Sequence, residues 1–189
     1  QLNESFGHTA HGFAAADFND DGLLDFAVSY ATSPFTHSTI SLFYNLGALT
    51  FEQVNLFSFN YTHINDLDAG DFTGDGYIDL VFSFNEYRWF DDVSYNMNGT
   101  LVLARNNGAN DFSNLSVISQ WTSEDYLDLD RNINLQMTSA DYNHDGLLDL
   151  VVGGNSGTVE LLVNQGNGSF YNARVIDDFG WYSWGLTTM

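Results

Sequence analysis

Residues 17–29 read "DFNDDGLLDFAVS", and closely matched strings recur as "DFTGDGYIDLVFS" at 71–83 and "DYNHDGLLDLVVG" at 141–153. Each string sets Asp at positions 1, 5 and 9 around a Gly at position 6, then runs into an apolar stretch. A hard divalent cation such as calcium takes six to eight oxygens, and a chain supplies them best from alternate positions of a tight loop. In the first copy these are Asp17, Asn19, Asp21, the Leu23 carbonyl and Asp25. The second copy offers Asp71, Thr73, Asp75, the Tyr77 carbonyl and Asp79, and the third Asp141, Asn143, Asp145, the Leu147 carbonyl and Asp149. Thr73 is the weak member, a neutral hydroxyl where its counterparts carry an amide oxygen, so the second site is expected to be the loosest. The loops are not EF-hands, which need an acid at position 12 and a following helix. Position 12 is Val28, Phe82 or Val152, each inside an apolar run.

Working outward, an apolar residue stands four places before each first Asp (Phe13, Leu67, Met137) and a small one two places before (Ala15, Ala69, Ser139). This alternation predicts a short strand leading into each loop. The runs "DFAVSY", "DLVFSF" and "DLVVGG" predict a buried strand after it. A second shared block follows, in which Asn45, Asn106 and Asn164 precede Gly47, Gly108 and Gly166 by two residues and Phe51, Phe112 and Phe170 by six. Strand, Gly/Asn turn and aromatic-led strand make a hairpin. Each unit therefore predicts four strands, a propeller blade.

From first Asp to shared Asn is 28 residues in the first copy, 35 in the second and 23 in the third, which places an insertion around "NEYRWFDDVSYNMN". From shared Phe to the next first Asp is 20 residues and then 29, which places another in "QWTSEDYLDLDRN". Counting 20 onward from Phe170 predicts a fourth loop starting one residue beyond Met189, with Leu186 and Thr188 in its leading strand. Propellers close with four to eight blades, so residues 1–189 are expected to be one segment of a larger ring, completed by further blades or subunits.

The chain carries 25 acids against 4 arginines and no lysine, a formal charge of −21, and three divalent ions would bring this only to −21 + 6 = −15. Such a balance excludes nucleic acid and anionic lipid as partners. Cysteine is absent, so neither a disulfide nor a thiolate site is possible. No apolar run approaches the roughly 20 residues that span a bilayer, so no membrane insertion is expected. The first residues, "QLNESFGHTAHG", lack the basic and apolar regions of a signal peptide, which is expected to have been removed. Sequons at Asn3, Asn60, Asn98, Asn114 and Asn167 are possible glycosylation sites and lean weakly towards secretion.

The strings "ADFNDDGLLDFAVS" and "ADYNHDGLLDLVVGGNSGTVELLVNQGNGSF" resemble FG-GAP or VCBS repeats, the calcium-loop blades of integrin alpha-subunit type propellers. The resemblance covers nearly the whole chain apart from the insertions. It implies an all-β propeller of about seven blades, of which about three lie here, with calcium held by positions 1, 3, 5, 7 and 9 of each loop, about three ions in all. Thr73 is the one departure from the family's ligand pattern. Full ligand sets within each loop leave little room for an open catalytic position, so the ions are expected to be structural.

The family's breadth leaves several functions open. The first expectation is an extracellular calcium-binding module, secreted or at the cell surface, for adhesion or ligand binding, with a protein or glycan ligand. Alternatives are a lectin module, a structural subunit of a surface filament or matrix, and an accessory domain of a secreted polysaccharide-active enzyme. Insertions in repeats map to loops and binding faces, which makes Tyr87, Trp89, Trp121 and Tyr126 candidates for stacking on sugar rings, against the blander reading that they pack between blades. His8, His11 and His63 are weaker metal candidates, as are Asp128 and Asp130. No catalytic motif such as GxSxG or HExxH is present, and no enzyme activity is expected.

Overall fold

The computed structural model describes residues 9–33, 37–60, 62–90, 94–122, 135–153 and 158–178. Twelve strands form three four-stranded antiparallel sheets, with no helix among the described residues. Sheet 1 runs β1 (Thr9–Ala16), β2 (Asp25–Ser33), β3 (His37–Asn45), β4 (Phe51–Asn60), each strand paired with the next. Sheet 2 repeats that order with β5 (Thr62–Gly70), β6 (Asp79–Phe90), β7 (Ser94–Arg105) and β8 (Asn114–Thr122). Sheet 3 repeats it again with β9 (Gln136–Ala140), β10 (Asp149–Gly153), β11 (Thr158–Asn164) and β12 (Phe170–Asp178). The four-strand unit expected from the repeats is therefore present three times, each acidic loop joining the first two strands of its sheet.

Side chains alternate along a strand, and the middle sheet buries both sets. On β6 and β7, Leu80, Phe82, Val102 and Ala104 join Ala27, Ile40, Leu42 and Tyr44 of sheet 1 in one core. The alternate residues Val81, Leu101 and Leu103 join Met137, Leu150, Val152 and Leu162 of sheet 3 in a second. This two-sided burial explains why "DLVFSF" and "LVLA" are continuously apolar. Aromatic rings bind the first pair of sheets further: Phe57 and Phe59 of β4 lie 5.6 and 5.9 Å from Phe82, and Phe59 stacks on Phe84 at 5.7 Å.

The equivalent positions before each loop behave unequally. Leu67 and Met137 are each 4% exposed, covered by the preceding sheet, whereas Phe13 of sheet 1 is 62% exposed. Leu24, Leu46 and Leu49 are exposed on the same first repeat, Leu49 at 91%. The first repeat thus exposes apolar side chains that no described residue covers.

The first insertion departs from its expected form. It is a lengthening of the β6–β7 hairpin rather than a loop: both strands reach 12 residues, and the ladder continues from Asn85 opposite Gly99 to Phe90 opposite Ser94. The added residues extend an existing ladder, so they retain strand pairing. In the second insertion, Gln120–Thr122 end β8 and the rest lies outside the described residues, as do Leu186 and Thr188.

Asp66 on β5 contributes an ionisable contact between sheets. Its Oδ2 accepts the Met137 N–H of sheet 3 at 2.9 Å, and burial raises its pKa to about 6 despite this bond and the one from Leu67. The folded protein therefore holds this proton more tightly than the unfolded chain does. The stability that Asp66 confers is complete below about pH 4 and is lost as pH rises through about 6. Asp66→Asn keeps an acceptor and removes the buried charge. In urea titrations it should match the wild type near pH 4 and exceed it by up to about 3 kcal/mol at pH 7.5. A difference that stays constant across that range would contradict this account.

Candidate metal centre

The three loops share one backbone path. Position 4 is left-handed in each, with φ of 58° at Asp20, 75° at Gly74 and 63° at His144, and position 6 follows at 84°, 90° and 89° for Gly22, Gly76 and Gly146. Residues with a Cβ resist such angles, though Asp and His tolerate them better than most, which accounts for the acid and the histidine at position 4. These two reversals curl the loop so that its N–H groups face the first carboxylate. Asp17 accepts from Asp21 N and Gly22 N at 3.0 and 2.7 Å, and Asp141 from Asp145 N and Gly146 N at 3.0 and 2.9 Å. Asp71 accepts from Gly74, Asp75 and Gly76. The position-5 carboxylates each accept the N–H of position 7, at 2.8–2.9 Å.

Positions 3 and 5 are linked in two loops only. Asn19 donates to Asp21 at 3.0 Å and Asn143 to Asp145 at 2.8 Å. No such bond joins Thr73 to Asp75; the Thr73 hydroxyl is buried near enough to Asp79 to favour that carboxylate, yet makes no hydrogen bond of good geometry.

Position 9 plays a different part from positions 1 to 5. Asp25, Asp79 and Asp149 are at most 1% exposed, and their oxygens accept backbone N–H groups from two directions. Oδ2 takes the N–H of position 2 (Phe18, Phe72, Tyr142) at 3.0–3.2 Å, and Oδ1 takes the N–H of the hairpin asparagine (Asn45, Asn106, Asn164) at 2.7–2.9 Å. Burial pushes Asp79 above the usual carboxylate range, partly offset by the Asn106 N–H.

The same asparagines lock the sheets together. Each accepts the N–H of the glycine two residues on and donates to the carbonyl of position 8, Leu24, Ile78 or Leu148. Asn106 and Asn164 donate also to the position-2 carbonyl of the preceding sheet, Phe18 O and Phe72 O, both at 3.0 Å. The position-2 rings meet the next sheet's aromatic, with Phe18 6.1 Å from Phe112 and Phe72 6.3 Å from Phe170.

As the side chains stand, no three acidic or histidine groups among the described residues converge on one point. Positions 1, 3 and 5 lie together, while position 9 is turned to backbone amides. The donor set nevertheless suits a hard cation: a carboxylate offers about four lone-pair sites, so oxygens that each take an N–H keep further capacity. The unsatisfied Thr73 hydroxyl belongs to the same ligand set.

The other sequence candidates are dispersed. Trp121 packs against the second core and its Nε1 donates to Glu160 of sheet 3 at 3.4 Å, a position between sheets. Tyr87 and Trp89 lie on the lengthened hairpin, opposite Met97 and Tyr95. Tyr126, Asp128, Asp130, His8 and Asn3 lie outside the described residues. His11 and His63 meet edge to face at 4.2 Å, and burial and the second ring hold His11 below the usual histidine range. Of the sequons, Asn60, Asn114 and Asn167 are exposed, whereas Asn98 sits within β7 with its Oδ1 buried and unpartnered. Sequence reasoning missed Arg105, which stands directly before a hairpin asparagine; the signal was its alignment with Tyr44 and Val163 in the other repeats.

Fold and loops together define a protein of repeated four-stranded units, each carrying an acidic loop and a hairpin asparagine. Residues 17–82 and 141–189 match the family model described as FG-GAP-like repeat, more than half of the chain, and the chain belongs to that family. Both matched stretches begin on the first Asp of a loop, and the unmatched interval contains both insertions. No curated protein shows significant similarity to the chain.

Replacing the hairpin asparagines should reveal their unequal duties. Asn106→Ala and Asn164→Ala each strip donors from two carbonyls on two sheets and should cost about 2–4 kcal/mol in urea denaturation. Asn45→Ala, with no preceding sheet to hold, should cost about 1 kcal/mol. Equal losses at all three positions would refute the inter-sheet role.

Proposed function

We propose that this chain is a calcium-stabilised propeller segment, displayed outside the cell, that binds a protein or glycan ligand. The observation that carries the reading is the threefold loop, in which oxygen donors stand at positions 1, 3 and 5 of a curled backbone and a buried carboxylate stands at position 9, with no lysine or arginine among the loop residues. Bound calcium would be held by Asp17, Asn19, Asp21, Leu23 O and Asp25 and by their counterparts in the other two loops. It would supply positive charge that ties the curled loop to its sheet. Because position 9 also grips the hairpin, loss of the ion would loosen the junction between sheets as well as the loop.

The exposure of Phe13 in the first repeat, among the described residues, supports further blades beyond the three described. In sheets 2 and 3 the positions equivalent to Phe13 are covered by the sheet before, and a preceding blade would cover Phe13 in the same way. The extracellular setting accords with calcium sites of millimolar affinity, which fill outside cells and not within them.

At about ten times its dissociation constant each ion would stabilise by roughly 1.4 kcal/mol, and three by about 4 kcal/mol. For a chain of this size that corresponds to a melting shift of roughly 10 °C. Thermal melts in millimolar calcium and in excess chelator should differ by this order. Thr73→Asn should raise the calcium affinity of the second loop. Identical melts with and without chelator would remove the calcium reading.

A further inference from the structure

Arg105 occupies a position that the other repeats give to apolar packing: its counterparts Tyr44 and Val163 are buried. It is one of only four cationic side chains in a chain of charge −21, yet no acid among the described residues pairs with it. Its Nε is buried without an acceptor. A guanidinium is a fixed planar fork suited to a carboxylate, and leaving a buried donor of this kind unmet is costly.

The side chain lines a cleft of about 400 Å³ between sheets 2 and 3, together with Asp75, Asn107, Asp111, Asn114 and Asn167. That volume falls at the lower end of small-molecule sites. The cleft is anchored by the Asn167 N–H bond to Thr73 O at 3.2 Å. Gly168 permits the close approach of the two sheets here, because a Cβ would stand 2.6 Å from Leu103 Cδ2 and 3.2 Å from Arg105 Nη2. Its counterparts Leu49 and Asn110 adopt similar positive φ, so the close approach rather than the backbone angle calls for glycine at 168.

Every residue lining the cleft carries a polar group, so a ligand there meets hydrogen-bond donors and acceptors with carbon surface between them. A compact anion would meet Asp75 and also Asp111, which Ser113 holds below the usual carboxylate range and therefore charged. One guanidinium, four amides, two hydroxyls and two carboxylates line it, a set that suits a ligand with a single acidic group and many hydroxyls. We propose that this cleft binds a carboxylated saccharide, with Arg105 taking the carboxylate and the asparagines and Asp111 taking ring hydroxyls. The proposal deepens the ligand-binding reading above and rests on it, and it assigns no contact to Asp75, which belongs to the second acidic loop.

The test is isothermal titration of the full chain, made without glycosylation so that Asn114 and Asn167 are bare, against D-galacturonate, its methyl ester and acetate. The acid sugar should bind at least tenfold more tightly than either comparison probe. Arg105→Gln should lower its affinity at least tenfold, and Asn114→Ala, on an exposed strand end, should lower it severalfold with an unchanged melt. Equal binding of acid and ester, wild-type affinity in both variants, or no wild-type heat at millimolar sugar would each overturn the proposal. The chelator melt reads the loops and the titration reads the cleft, so failure of either reading is recognisable from the other.

Discussion

The structure hangs on one buried aspartate in each repeat, held by backbone amides. Asp25, Asp79 and Asp149 each hold two backbone N–H groups from segments distant in sequence, the start of the acidic loop and the end of the hairpin. Carboxylate-to-amide bonds in a buried setting are strong because the alternative is an unsolvated charge. In the second and third repeats the asparagine whose N–H is held then spends its side chain on two more carbonyls, one of them on the neighbouring sheet. In those two repeats a single acid therefore joins loop, hairpin and adjacent sheet.

This arrangement divides the acids of each loop by role. Position 9 belongs to the architecture, and positions 1 and 5 remain at the surface with lone pairs to offer. The division explains how a chain with such an excess of negative charge can carry its acids so close together: part of each carboxylate's field falls on inward N–H groups, and the rest is available to a cation. It also explains why the sites and the junctions between sheets are coupled, since position 2 and position 9 belong to the same loop.

Much of the fold was legible in sequence. Three aligned strings, the alternation before them and the Asn–Gly–Phe blocks after them specified four strands per unit, and the sheets follow that order. The curled loop was legible as well, because glycine at position 6 and acids at 1, 5 and 9 leave few other conformations. The lengthened β6–β7 hairpin was not, because extra residues in a repeat carry no mark that separates a loop from a longer ladder. Trp121 looked like a candidate contact residue because aromatic character alone does not reveal that Glu160 and the second core lie beside it.

By itself the sequence determined the repeat, the strand count of each unit and the oxygen-rich loops, since each of these is written in the local order of residues within a unit. Only the tertiary structure decided which residues meet across sheets. Asn106 reaches Phe18 and Asn164 reaches Phe72 over 88 and 92 positions, and Arg105 faces Gly168 across the junction. Local spacing sets a strand's pattern, but sheet-to-sheet packing sets which polar group finds a partner. That is why the polar cleft beside Arg105 becomes visible only once the sheets are stacked.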